Sequence, residues 1–230
     1  VGRSSLRNNT TGINNVAIGL SAAANNTVGQ NITAIGRCAL NQNTVDNMTA
    51  VGALALWCNT TGARNVAVGT SALRNNTTGT KNTAVGYSTM FANTTGDSNV
   101  ALGDKALCSN TTSNYNVALG PVALLCNTTG CRNIAMGFYA LRGNTTARSN
   151  VGIGVSALQL NTTGAFNIAV GDSTLFKTTG DRNVGLGNGA GTCITSGTGN
   201  VVLGGYNADG FATENCNIFI SDGAGNVRMF

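Results

Sequence analysis

At 230 residues the chain has room for one or two ordinary domains, yet only 9% of it is charged, proline occurs once and glycine 32 times. Simple disorder is excluded, because 42% of the residues are hydrophobic and disorder needs low hydrophobicity with high net charge. The net charge of +5 is carried by scattered residues such as Arg64, Lys81, Arg132, Arg148 and Arg182, whereas a nucleic-acid surface needs a concentrated basic stripe.

The chain opens at Val1-Gly2, inside a repeat and without an initiating Met or a signal peptide, so it is expected to be a fragment or the ordered part of a longer protein. The repeat is plain when aligned on the glycine that closes each short apolar run. These glycines are Gly2, Gly19, Gly36, Gly52, Gly69, Gly86, Gly103, Gly120, Gly137, Gly154, Gly171, Gly187 and Gly204, with Ser221 in the fourteenth place. Eleven of the steps are 17 residues and two are 16. Seventeen residues are too few for a pair of helices with their turns. They suit one coil of a parallel β-solenoid, with two short strands alternating with Gly- and Asn-rich turns. Val66-Ala67-Val68, Val100-Ala101-Leu102 and Ile168-Ala169-Val170 read as strands, and Asn and Gly in the Asn-Thr-Thr-Gly turns tolerate the left-handed backbone of corners. At about 4.8 Å per stacked strand, thirteen such coils predict an all-β rod on the order of 60 Å long.

Each column of the stack carries its own role. The residue before the anchor is always apolar (Ile18, Ile35, Val51, Val68, Val85, Leu102 and onward), and the one before that is small, mostly Ala. Neighbouring strand residues face opposite sides, so the strand is apolar on both faces. A thin coil covers only one, and the other is expected to lie against a second copy, the small Ala column allowing close approach. On this reading Val68→Asp breaks the stack. A second apolar column follows the anchor, as in Ala72-Leu73 and Ala106-Leu107, and two Asn columns (Asn65, Asn82, Asn99 and Asn59, Asn76, Asn93, each continuing along the chain) are read as hydrogen-bonded ladders.

Residues 1–187 form the regular repeats. Residues 188–230 are degenerate coils, a cap or a transition to a further C-terminal domain, since Gly187-Asn-Gly-Ala-Gly191 loses the Ala-Leu pair and repeat stacks need atypical ends. The variable positions are the candidates for surface contacts: Trp57, Tyr87, Phe91, Phe138, Tyr139 and Phe176.

Chemistry finds few players. The chain has no His, and its eight acids show no motif spacing, so no catalytic residue, cofactor or metal site is expected. The seven Cys have no paired C-x-x-C spacing and are read as reduced, buried small hydrophobes. That reading fits assembly in a reducing cytosol. Sequons such as Asn59-Thr-Thr and Asn76-Thr-Thr read as parts of the ladder, with glycosylation as the alternative in a eukaryotic secretory pathway. No apolar run of about 18 residues is present, so no membrane insertion is expected.

The unit Asn-Val-Ala-Val-Gly-x-Ser-Ala-Leu-x-x-Asn-Thr-Thr-Gly, over about residues 1–204, resembles the head repeats of trimeric autotransporter adhesins of the YadA type. It is closer to the longer repeats of bacteriophage tail fibres and of surface fibres of large DNA viruses. The stretch Ile220-Ser-Asp-Gly-Ala-Gly-Asn-Val-Arg-Met-Phe230 is similar to the segment that often precedes a self-cleaving chaperone domain in such fibres. The resemblance implies a left-handed parallel β-roll in a homotrimer. It also implies a place on the virion surface or outside the cell, and contact with a host receptor or glycan. Autotransporter heads use a shorter repeat. Two rival readings are an autotransporter adhesin head and an ice-binding solenoid, the latter on the Thr columns Thr60, Thr77, Thr94 and Thr61, Thr78, Thr95.

Overall fold

The computed structural model describes residues 2–222 and 224–227. Val1 and, in the C-terminal stretch, Gly223 and residues 228–230 lie outside them. The chain is an all-β parallel β-solenoid of about twelve turns with thirteen strands and, among the described residues, no helix. It divides into two compact units, Val1–Asn116 and Val117–Phe230. The first holds Val16–Ile18 (β1), Ile32–Ile35 (β2), Met48–Val51 (β3), Val66–Val68 (β4), Thr83–Val85 (β5) and Val100–Leu102 (β6). The second holds Val117–Leu119 (β7), Ile134–Met136 (β8), Val151–Ile153 (β9), Ile168–Val170 (β10), Val184–Leu186 (β11), Val201–Leu203 (β12) and Ile218–Ile220 (β13). Within each unit every strand pairs in parallel with the next in the chain, and the column register is kept, as in Ala50↔Ala67 and Ala67↔Ala84.

Each coil has one strand, not two. The Ala-Leu segment opposite it is a run of turns in which L-residues adopt left-handed backbone, as at Ser71 (φ 59) and Leu73 (φ 49). Left-handed L-residues cost on the order of 1–2 kcal/mol each, so something must offset them. The conformation turns alternate N–H groups to opposite neighbours: Ser71 N donates back to Ala53 O at 2.9 Å and Leu73 N donates forward to Thr89 O at 3.0 Å. This arm is thus bonded into the stack on both sides without being a strand. The same conformation places Leu73, Leu107, Leu141 and Leu158 in the interior, fully buried, each contributing about 1.5–3 kcal/mol by burial.

The strand faces are the reverse of the sequence expectation. The Ala column points inward: Ala34, Ala67, Ala101 and Ala135 are wholly buried. Its small size is set by the Leu arm across a thin coil. At Gly185, which stands in that column, an added methyl carbon would lie 2.9 Å from Leu175 Cγ and 2.6 Å from Thr174 Cγ2. The bulky residues therefore face out. Val68 accordingly belongs to the outer face, and Val68→Asp does not bury a charge in the coil.

The anchor glycines are a steric requirement. Gly69 has φ 132, and a Cβ there would meet Gly86 O of the next coil at 2.3 Å. The last coils depart from the pattern by filling the interior differently. Gly189 and Gly191 take the left-handed positions, and Ile194, wholly buried, takes an Asn place. Val202 and then Phe219 replace the inward Ala, and Phe219 packs with Tyr206 and Phe211 at ring-centroid distances of 5.1 and 4.9 Å.

Candidate functional site

The polar interior is structural. Asn76 Nδ2 donates to Gly79 O at 2.9 Å and to Asn59 Oδ1 of the preceding coil at 2.8 Å, while its own Oδ1 accepts from Asn93 Nδ2 at 2.7 Å. In the other column Asn82 N donates to Asn65 Oδ1 at 2.9 Å, and Asn82 Nδ2 to Gly96 O at 2.7 Å. These amides are fully buried and bonded at both ends, which satisfies the buried corner carbonyls. The sequon residues Asn59, Asn76 and Asn93 belong to this ladder, so a glycan on Nδ2 is incompatible with the coil.

The acids do related work at the corner. Asp46, Asp97 and Asp181 each accept a backbone N–H of the preceding coil, from Gln30, Thr80 and Ala165, at 2.6–2.8 Å. No group of three or more metal-ligating side chains occurs among the described residues. All seven Cys are free. They are not buried as the sequence suggested: six are half-buried and Cys216 is exposed, because their columns lie at turns rather than on the inward Ala and Leu positions. Burial pushes the Cys58 and Cys108 thiols up, with Arg74 and Lys105 respectively pulling partly back.

The six aromatic candidates do not converge on one cleft. Trp57 and Phe91 are half-buried and are joined through Arg74, whose guanidinium carbon lies 5.4 and 5.5 Å from the two ring centroids. Arg74 Nε is buried without a hydrogen-bond partner, and the two rings flank the guanidinium within cation–π range. Phe138 is exposed and leans on Tyr139 at 3.8 Å, and Arg142 lies 5.3 Å from the Tyr139 ring. Phe176 is half-buried. Tyr87, 56% exposed, is the most open of the six.

The feature sequence reasoning placed on the wrong side is the outer sheet face. Two residues of every strand point out, as Val66 and Val68 do in β4 and Val100 and Leu102 in β6. Leu102 is 54% exposed and Ile18 47%, against 0% for Ala101. Strand after strand, bulky apolar side chains form two parallel columns facing water, relieved by Thr33, Thr49 and Thr83 in β2, β3 and β5. The outer Thr column at the turns is also exposed (Thr61, Thr78, Thr95). The adjacent Thr60, Thr77 and Thr94 spend their hydroxyls on carbonyls of the next coil at 3.0–3.1 Å. No helix among the described residues is long and apolar enough to cross a membrane.

Comparison with known proteins returns no matching family, no matching curated protein and no matching solved structure.

Proposed function

We propose that this chain is a non-enzymatic structural and adhesive segment of a homotrimeric fibre that projects from a virion, as a phage tail fibre or viral surface fibre, and serves attachment to a host. The observation that carries the reading is the outer sheet face. A coil whose interior is filled mainly by Ala, Leu and Asn leaves two columns of Val, Ile and Leu in water, and further copies of the same chain are the occupants that match them. A parallel strand apolar on both faces calls for cover on both. With strands about 4.8 Å apart and a face roughly 12 Å wide, six coils of one unit present on the order of 350 Å². Summed over both units this approaches the roughly 800 Å² that one partner contributes to a stable interface. The repeat that resembles viral fibres and trimeric adhesin heads supports three copies rather than two.

Attachment is tested on intact particles. Antibodies raised against this chain are expected to label projections from the virion in electron micrographs and to reduce adsorption to host cells. Label confined to the particle interior, or adsorption unaffected by saturating antibody, contradicts the reading.

A further inference from the structure

One coil of the first unit is cut short at a corner, and the cut leaves a recess. A full corner runs from Asn59 through Thr-Thr-Gly-Ala to Arg64, whereas the coil begun at Gly36 runs from Asn43 through Thr-Val-Asp to Asn47, one residue fewer. The missing residue is the second Thr of the turn, and Val45 stands in the place of the corner Gly. Val45 O takes over its acceptor role, receiving Asn43 Nδ2 at 2.7 Å as Gly62 O receives Asn59 Nδ2 at 2.9 Å. The result is a groove of about 470 Å³, with Thr44, Val45, Asp46 and Asn47 from the short coil, Val28 from the coil before, and Ala63, Arg64, Thr80 and Lys81 from those after. That volume lies within the range of small-molecule sites.

The charges at this groove are arranged for a ligand. Arg64 and Lys81 occupy the same column in consecutive coils, both exposed, at a backbone spacing of about 4.8 Å. Like charges stacked this way at consecutive corners repel each other. Among the described residues neither cation has an ion-pair partner. Asp46 is fixed by accepting Gln30 N–H at Oδ1, 2.8 Å, which leaves Oδ2 for a hydroxyl donor. Val28, Val45 and Ala63 supply apolar wall.

We propose that this notch binds a sugar acid: one carboxylate taken by Arg64 and Lys81, a ring hydroxyl donating to Asp46, and the ring carbons against Val28 and Val45. A bidentate Arg–carboxylate pair gives both strength and orientation, and a fixed carboxylate selects a hydroxylated ligand over a bare anion. The inference goes beyond the fibre reading and does not depend on it.

The test is saturation-transfer NMR on the native protein with sodium glucuronate, glucose and sodium glucuronate in competition with sodium sulfate. Glucuronate is expected to bind saturably and glucose at least about tenfold more weakly. Arg64→Ala combined with Lys81→Ala is expected to weaken glucuronate about tenfold or more. Asp46→Asn is expected to weaken it about threefold while leaving sulfate competition no weaker. Circular dichroism melts confirm that these surface variants remain folded. No saturable glucuronate signal, or one unchanged in the double variant, overturns the proposal. Sulfate competing as well as glucuronate itself, with Asp46→Asn silent, reduces the notch to a plain anion site and overturns the sugar assignment. Particle mass on the same samples separates the two readings: a monomer that binds glucuronate sinks the fibre alone, and a trimer that does not bind sinks the notch alone.

Discussion

The coils begun at Gly36 and at Gly171 are both 16 residues long, and both have lost their residue at the same corner, where the second Thr of the Asn-Thr-Thr-Gly turn stands in other coils. In the first Val45 stands in the place of the corner Gly, and its O replaces the Gly carbonyl. In the second Gly180 keeps the corner place, its O accepting from Asn167 Nδ2 at 2.9 Å, and Thr178 stands where other coils have the ladder Asn, donating its hydroxyl to Ile194 O at 3.1 Å. Both coils nevertheless return their strands in register, Thr33↔Thr49 in one and Ala169↔Gly185 in the other. The length of a corner is therefore negotiable. What a coil has to preserve is a buried polar group at the corner with a partner, together with the inward position of its strand.

The comparison breaks hardest where a full corner is given what the short one carries. Val45 bears a side chain at its corner, but at Gly62 an added Cβ would sit 2.2 Å from Gly79 O and 2.8 Å from Asn59 Oδ1. Gly62→Ala is expected to cost more than about 3 kcal/mol and Val45→Ala less than about 1 kcal/mol, read from denaturant midpoints. Equal midpoints would remove the steric account of the corner.

The ladder comes next. Asn59→Ala deletes donors to Gly62 O and Asn43 Oδ1 and removes the acceptor of Asn76 Nδ2. With several buried groups stranded the loss is expected to be about 3 kcal/mol, whereas Thr178→Ala removes one hydroxyl donor and is expected to cost about 1 kcal/mol. A reversed order in thermal melts would show that the Thr is more than a stand-in.

The smallest effect sharpens the contrast most. Inserting Gly after Val45 restores a 17-residue coil and is expected to change stability by less than about 1 kcal/mol, while filling the notch and abolishing glucuronate binding. A large loss of stability there would mean that the short corner is needed by its neighbours.

Much of this was legible from spacing alone. Any side chain that meets its own kind at every coil leaves a period of 17, so the anchor glycines and the two Asn columns announced both the stack and its ladders. The direction of the strand was not legible, because Val66-Ala67-Val68 is apolar on either face and alternation fixes the two faces without saying which is inside. The interior Leu arm decided it, and Leu73 reaches the interior through a left-handed backbone that no propensity for Leu predicts. Trp57 and Phe91 stood out as aromatics, but their joint tie to Arg74 depends on three consecutive coils placing one column together. The notch did leave a signal, the short step from Gly36 to Gly52; that it would open a recess between Val28 and Lys81 required the backbone.

The claim that most of this rests on is that the outer columns are covered by further copies of the chain. Light scattering on the native protein, beside a Val66→Asp/Val68→Asp variant, addresses it directly. The predicted result is a particle of three times the 23.2 kDa chain that the variant dissociates to folded monomers, since its charges lie on the outer face and not in the coil. A dimer would keep the covered face and contradict the fibre. A wild-type monomer, stable in solution with both columns in water, would contradict the account at its centre.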